Sequence, residues 1–184
     1  MLKALWTEKT GVTVTFDDMP SDLMKNTGSV YHTSGCFTLE SGKGINNSTA
    51  LKHSLPKNDT NSDQIKPTVL NEGTEMLKAK SNTAYYVSLR YKVETATSNK
   101  IKLSVVTAGD SHWDSRVQLP NGGTEVDTTA ANSEWKYVGF TFTTGSFNGK
   151  DNLFFATQYG NDGTVYFDDI NVRKLFSLDE NKGA

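Results

Sequence analysis

The stretch "AYYVSLRYKV" at 84–93 constrains the fold of this chain more than any other. Tyr85, Val87, Leu89, Tyr91 and Val93 fall on one parity, and Tyr86, Ser88, Arg90 and Lys92 on the other. A period of two belongs to a β-strand with one apolar and one polar face. Such a strand is not stable alone; its apolar face needs neighbouring strands and a second layer to cover it. "WKYVGFTFTT" at 135–144 repeats the pattern, with Val138, Phe140 and Phe142 on one parity and Tyr137, Gly139 and Thr141 opposite. Further strands are predicted at 12–16, 29–40, 48–54, 65–70, 100–107, 115–119, 152–159 and 164–175. Turn chemistry separates them: "TSNK" at 97–100, "NGG" at 121–123, "FNGKDN" at 147–152 and "GNDG" at 160–163.

No segment keeps helical periodicity over three turns; "SDLMKN" at 21–26 makes at most one turn. About ten short strands in 184 residues predict an all-β domain, a β-sandwich jelly roll of two antiparallel sheets. The expected organisation is an N-terminal extension or edge segment at 1–11, one β-sandwich at 12–175 and a flexible tail at 176–184. The formal net charge of −2, with Lys and Arg scattered, carries no footprint for nucleic acid or an anionic membrane. No apolar run reaches the roughly 18 residues of a membrane span, and "MLKALWTEKTG" has no hydrophobic leader. Cys36 is the single cysteine, which excludes an internal disulfide and a cysteine-rich zinc site and reads as a small buried hydrophobe.

The run "TVYFDDINVRK" at 164–174 sets two carboxylates inside a strand, where Asp is rare. Alternation puts Asp168 on the parity of Tyr166, Ile170 and Val172, and Asp169 on that of Val165, Phe167 and Asn171. If Ile170 and Val172 face the core, Asp168 points inward and needs a cation, a metal ion or several hydrogen-bond donors.

Several pieces in order form a pattern: "VTVTFDDMPSD", "FTLESGKGINNSTALKHS", "NTAYYVSLRYKV", "EWKYVGFTFTTG" and "GNDGTVYFDDINV". The order resembles the jelly-roll carbohydrate-binding modules grouped around families 4, 9, 16 and 22, accessory domains of bacterial plant-cell-wall hydrolases, over residues 12–175. The resemblance implies a structural calcium ion. Its ligands would come from Asp17 or Asp18, from a group near Glu40 to Lys43, and from Asp168. Calcium takes about six to eight oxygen ligands at about 2.3–2.6 Å, so one ion would staple two ends of the chain. The alternative is that Asp168 accepts hydrogen bonds from loop amides or pairs with Lys43. The resemblance also implies a secreted or cell-surface protein, whose larger multidomain parent hydrolyses polysaccharide.

A sugar offers apolar C–H faces and a rim of hydroxyls, so its sites combine flat aromatics with planar or charged hydrogen-bonding groups. Tyr85, Tyr91, Phe140 and Phe142 lie on core parities, and Trp135 reads as packing. Trp113, in "AGDSHWDSRVQL", sits among polar residues and is either a loop plug or an exposed platform. Arg116 and Gln118 share a parity beyond it. Tyr86 and Arg90 occupy a polar parity, and Gln158 and Tyr159 approach a turn. One sheet face carrying Tyr86, Arg90, Arg116, Gln118 and Gln158 would form a polar, aromatic-studded cleft; an ordinary solvated sheet face is the competing reading.

The expected function is therefore non-catalytic binding of plant cell-wall polysaccharide of the β-glucan, xylan or mannan class. A structural or adhesive sandwich of a cell-surface or phage protein is the alternative. A jelly-roll glycoside hydrolase would need two carboxylates about 5–5.5 Å apart, or farther for inversion. The pattern Glu-x-Asp-x-x-Glu is approached only by Glu125-Val126-Asp127-Thr128-Thr129-Ala130, which lacks the last acid and reads as loop. "SGKGINNS" lacks the strand-to-helix context of a phosphate loop.

Overall fold

The computed structural model describes residues 11–14, 16–17, 37–54, 82–108, 117–144 and 152–175. The first part of the strand expected at 29–40, the strand expected at 65–70, the helical turn at 21–26, both chain ends and Cys36 lie outside the described residues. Among the described residues nine strands follow one another: β1 Gly11–Val14, β2 Phe37–Glu40, β3 Ala50–Ser54, β4 Ala84–Thr95, β5 Ile101–Ala108, β6 Val117–Val126, β7 Lys136–Thr143, β8 Asn152–Gln158 and β9 Thr164–Lys174. The helical element among the described residues is one 3-10 turn, Ile45–Asn47.

The strands form two antiparallel sheets. One has six strands in the order β2-β3-β9-β4-β7, with β1 also on β9; the other has three in the order β6-β5-β8. This is a β-sandwich of the jelly-roll type. The predicted parities of β4 and β7 hold: Tyr85, Val87, Leu89, Tyr91, Val93, Phe140 and Phe142 are all buried. They share one cluster with Ile101, Leu103 and Val126 of the three-stranded sheet, so the two layers close on each other. Tyr85 and Phe142 are neighbours in the β4–β7 ladder, and their rings stack at 5.1 Å. Burying each such side chain contributes about 1.5–3 kcal/mol.

β9 departs from simple alternation. Val165 and Phe167 lie in the core, and so do Ile170 and Val172, on the opposite parity. Opposite β4, Ser88 pairs with Asn171 and Arg90 with Asp168, so Asp169 and Ile170 of β9 face Leu89 alone. The surplus residue is a β-bulge around Asp169, whose φ is +50°. Asp enters this left-handed region more readily than most residues because its short side chain bonds locally. The bulge corrects the parity argument: Asp168 is buried, at 1 % exposure, but on the face opposite Phe167 and the core. The same point marks a change of neighbour. β9 pairs with β3 through Phe167 and with β1 from Ile170 onward.

"NGG" is likewise no hairpin turn. It lies inside β6, where Ser104 pairs with Gly123 and Val106 with Gln118, leaving 119–122 as a wide irregularity. A Cβ at Gly123 would stand 2.7 Å from the Leu103 carbonyl oxygen, so this close approach requires glycine. Glu125 and Val126 are therefore strand residues, not loop, and Val126 is buried.

Candidate functional site

The outer face of the six-stranded sheet collects an aromatic cluster. Arg90 lies opposite Tyr137, Ser88 opposite Gly139, and Tyr86 opposite Thr141 in the β4–β7 ladder; Arg173 of β9 lies opposite Tyr86 on the other side. Tyr137 is 58 % exposed. Its hydroxyl stands 3.0 Å from that of Tyr86. The Arg173 guanidinium lies 5.0 Å from the Tyr86 ring centre and that of Arg90 6.0 Å from the Tyr137 ring centre, within the range of cation–π attraction. Gly139 makes the arrangement possible. A Cβ there would meet the Tyr86 hydroxyl at 2.0 Å and its Cζ at 2.6 Å, so the ring reaches across β7 in the space a side chain would fill.

The hydroxyls are polarised. Hydrogen bonds from Ser88 and Tyr86, with the charges of Arg173 and Arg90, hold the Tyr137 phenol below its ordinary pKa. The Tyr86 phenol is pushed up, chiefly by its hydrogen bond with Tyr137. Two tyrosines, two guanidinium groups and a hydroxyl pair provide both components of a sugar site, a flat apolar surface and directional polar groups.

The acidic residues occupy other places. Asp168 Oδ2 accepts hydrogen bonds from the Ile45 N–H at 2.9 Å and the Ser48 hydroxyl at 3.1 Å, and Oδ1 accepts from the Asp169 N–H at 2.8 Å. Burial nevertheless pushes the Asp168 carboxyl up, against the pull of these donors. Asp17 Oδ1 accepts from the Thr49 N–H at 2.8 Å. The early acidic turn, the 41–49 loop and the last strand therefore meet at one clasp. A Cβ at Gly44 would lie 2.3 Å from Ser48 Oγ, 2.7 Å from Asp168 Oδ2 and 2.8 Å from the Thr49 carbonyl oxygen. Three hard oxygens converge there, of the kind calcium takes, although no group of three or more His, Cys, Asp or Glu side chains is gathered among the described residues. Asp18 lies outside the described residues.

Glu40 belongs to a different cluster. Its Oε1 pairs with Lys52 at 2.6 Å, and its Oε2 accepts from the Tyr166 hydroxyl at 2.9 Å, with Glu94 Oε2 3.2 Å from the same hydroxyl. Lys43 pairs with Glu94 at 2.7 Å, rather than with Asp168, and stands 5.5 Å from the Tyr166 ring centre. The Lys52 bond lowers the Glu40 pKa and the Lys43 bond that of Glu94, while burial and the Glu40 bond raise the Tyr166 phenol. Asp127, the middle acid of the Glu125–Ala130 run, accepts from Thr129 and is lowered by it.

The residues expected on one sheet face are divided between two sheets. Tyr86 and Arg90 lie on β4 in the six-stranded sheet, whereas Gln118 and Gln158 lie on β6 and β8 in the three-stranded sheet. Tyr159, 49 % exposed, comes after β8 in a turn braced by Asn99, whose Oδ1 accepts the Gly160 N–H at 2.9 Å. Trp113 and Arg116 lie outside the described residues. Tyr137 and Arg173 complete the observed cluster and stand outside the expected set. Both sit on polar strand parities, but only the register places them beside Arg90 and Tyr86.

No protein-family model matches the chain, and no curated protein sequence matches it. Solved structures do. The CBM22-2 xylan-binding domain from Paenibacillus barcinonensis is similar at 14 % identity and a TM-score of 0.55, over 89 % of this chain and 99 % of that one. The CBM22-1 and GH10 modules of Clostridium thermocellum endo-1,4-β-D-xylanase 10B, complexed with xylohexaose, match at 13 % identity and a TM-score of 0.50, over 75 % of this chain. There this chain spans 24 % of the xylanase chain's length. An arabinose-bound α-L-arabinofuranosidase matches at 18 % identity and a TM-score of 0.53, over 75 % of this chain and 22 % of that one. The chain has the jelly-roll fold of carbohydrate-binding modules, including one domain of nearly its own length.

Proposed function

We propose that this chain is a non-catalytic carbohydrate-binding module for plant cell-wall polysaccharide of the xylan, β-glucan or mannan class, secreted as part of a larger hydrolase. The observation that carries the reading is the Tyr86–Tyr137 pair flanked by Arg90 and Arg173 on an open sheet face. Pyranose rings stack on such tyrosines while the guanidinium groups and the Tyr137 hydroxyl bond the sugar rim. Gln118 and Gln158 of the three-stranded sheet and Tyr159 after it form a second candidate group with Trp113 and Arg116, which lie outside the described residues.

A catalytic reading needs two carboxylates in opposite protonation states at one cleft. Among the described residues the one carboxylate pushed up is Asp168, held beneath the 41–49 loop, and its bonds go to that loop. Glu40 and Glu94 are both lowered by lysines. This arrangement supports binding over hydrolysis. Calcium is part of the proposal: Asp168, Asp17, Ser48 and the Thr49 carbonyl would hold it, and the ion would offset the charge that burial penalises at Asp168.

Affinity electrophoresis against soluble xylan, β-glucan and mannan tests the function. Retardation by at least one of them is expected, with loss in Tyr137→Ala; no retardation by any overturns the reading. Loss in Trp113→Ala with Tyr137→Ala unaffected would move the site to the second group. Robust release of reducing sugar from the same panel would replace the binder reading with the hydrolase.

A further inference from the structure

We propose that the tyrosine platform is built for an acidic glycan, a polysaccharide bearing uronic-acid carboxylates, and that Arg90 and Arg173 select it. The inference rests on reading the platform as a sugar site and names the chemistry that site prefers. Both arginines are exposed. Among the described residues the ion pairs are Lys43–Glu94 and Lys52–Glu40, in the cluster around Tyr166, and neither guanidinium has a carboxylate partner. Register explains why. The residue opposite Arg90 on β9 is Asp168, which would be its natural cross-strand partner. The Asp169 bulge and the 41–49 loop have claimed that carboxylate: its oxygens bond Ile45, Ser48 and Asp169. The other ladder neighbours on this face, Ser88, Gly139, Thr141 and Asn171, are uncharged.

Beside the two rings the face therefore carries the guanidinium groups of Arg90 and Arg173, while the acids that share it, Asp168, Glu40 and Glu94, are engaged by the 41–49 loop, Lys52 and Lys43. Seating a neutral sugar would remove water from both guanidinium groups without supplying a counter-charge. A uronate supplies it, and its planar carboxylate fits the guanidinium fork through two parallel hydrogen bonds while the pyranose ring rests on tyrosine. Two cations on a chain of net charge −2 match a sparsely charged glycan. A dense polyanion such as nucleic acid would require a basic stripe.

The test compares glucuronoxylan and polygalacturonate with the same polysaccharides after chemical reduction of their carboxyl groups, by isothermal titration of the full chain at low salt. At least one acidic form is expected to bind about tenfold tighter than its reduced form. The preference should shrink as sodium chloride is raised, because these charges are exposed and screened. In Arg90→Gln/Arg173→Gln the ratio should fall to near one, and in Arg90→Lys/Arg173→Lys it should stay above one; thermal melts confirm that both variants fold. Equal affinity for acidic and reduced forms in the wild type overturns the inference and leaves the sugar-binding reading standing. A preference unchanged in the double glutamine variant overturns the assignment to these arginines. Failure of every form to bind overturns both.

Discussion

Gly139→Ala separates the platform from the scaffold beneath it. A Cβ at this position would stand 2.0 Å from the Tyr86 hydroxyl, whereas ordinary contact begins near 3.4 Å. The hydroxyl must retreat by about 1.4 Å, which takes it out of its 3.0 Å bond to Tyr137. All three of the nearest atoms belong to the far end of one rotatable side chain, so Tyr86 yields rather than the strand. Removing the neutral Tyr86–Tyr137 bond costs about 1 kcal/mol of folding stability, and spoiling an aromatic stacking surface costs about 0.5–1.5 kcal/mol of binding. The latter weakens sugar binding roughly two- to thirteenfold. Stability should hold, because alanine is favoured over glycine inside a strand by about 0.5–1 kcal/mol, which offsets the lost bond. The assay is isothermal titration with the tightest ligand of the panel, alongside a thermal melt and an ultraviolet titration of the tyrosines. Binding falls, Tm holds, and the Tyr137 and Tyr86 phenols relax toward the ordinary tyrosine pKa from below and above. Wild-type affinity after both phenols have relaxed would refute the platform. A large fall in Tm would refute the argument that only Tyr86 gives way.

His53 is fully buried, its Nδ1 lying 3.4 Å from Thr157 Oγ1 and its ring edge-on to Phe167, and burial lowers its pKa to about 4. The folded form holds it neutral while the unfolded chain protonates near 6.5, so its contribution is whole above pH 6.5 and lost as pH falls toward 4. At pH 5 the loss is about 2 kcal/mol, or about 4–8 °C in Tm. His53→Gln should show a flatter acid limb in melts from pH 7 to 4.5, and an unchanged limb would refute the assignment. Asp168→Ala leaves the Ile45 N–H, Asp169 N–H and Ser48 hydroxyl without their acceptor and should cost about 2–4 kcal/mol in urea unfolding; a loss below 1 kcal/mol would mean that water replaces the carboxylate at little cost. Gly44→Ala drives a Cβ into Ser48, Asp168 and the Thr49 backbone and should lower Tm by several degrees. A wild-type Tm that does not fall in EDTA would sink the calcium proposal while leaving the hydrogen-bonded clasp intact.

Strand identity was readable wherever alternation was strong: β4 lies at 84–95 as expected, and β7 and β9 differ by a residue at their ends. What defeated the reading was a change of parity inside a strand. Nothing in "YFDDINV" announces that Asp169 drops out of the ladder, although an Asp pair is a good place for it. The fate of "NGG" was hidden for a related reason, since the residues that make a hairpin turn also make a bulge. The site was half readable. Tyr86 and Arg90 declared themselves by standing on a polar parity, but Tyr137 and Arg173 join them through register, which depends on which strands become neighbours. That choice is made by the whole sheet, and it also assigned Gln118 and Gln158 to the other layer.

β9 pairs with β1, β3 and β4, yet among the described residues it is the last strand in chain order. During synthesis β1, one edge of β3 and one edge of β4 must therefore wait for their partner until Lys174 has left the ribosome. Only then do pairings that span most of the chain's length form, the kind that makes folding slow and sensitive to any segment emerging behind the sandwich. A parent protein that carries this sandwich ahead of another domain would gain from a pause in translation just after it.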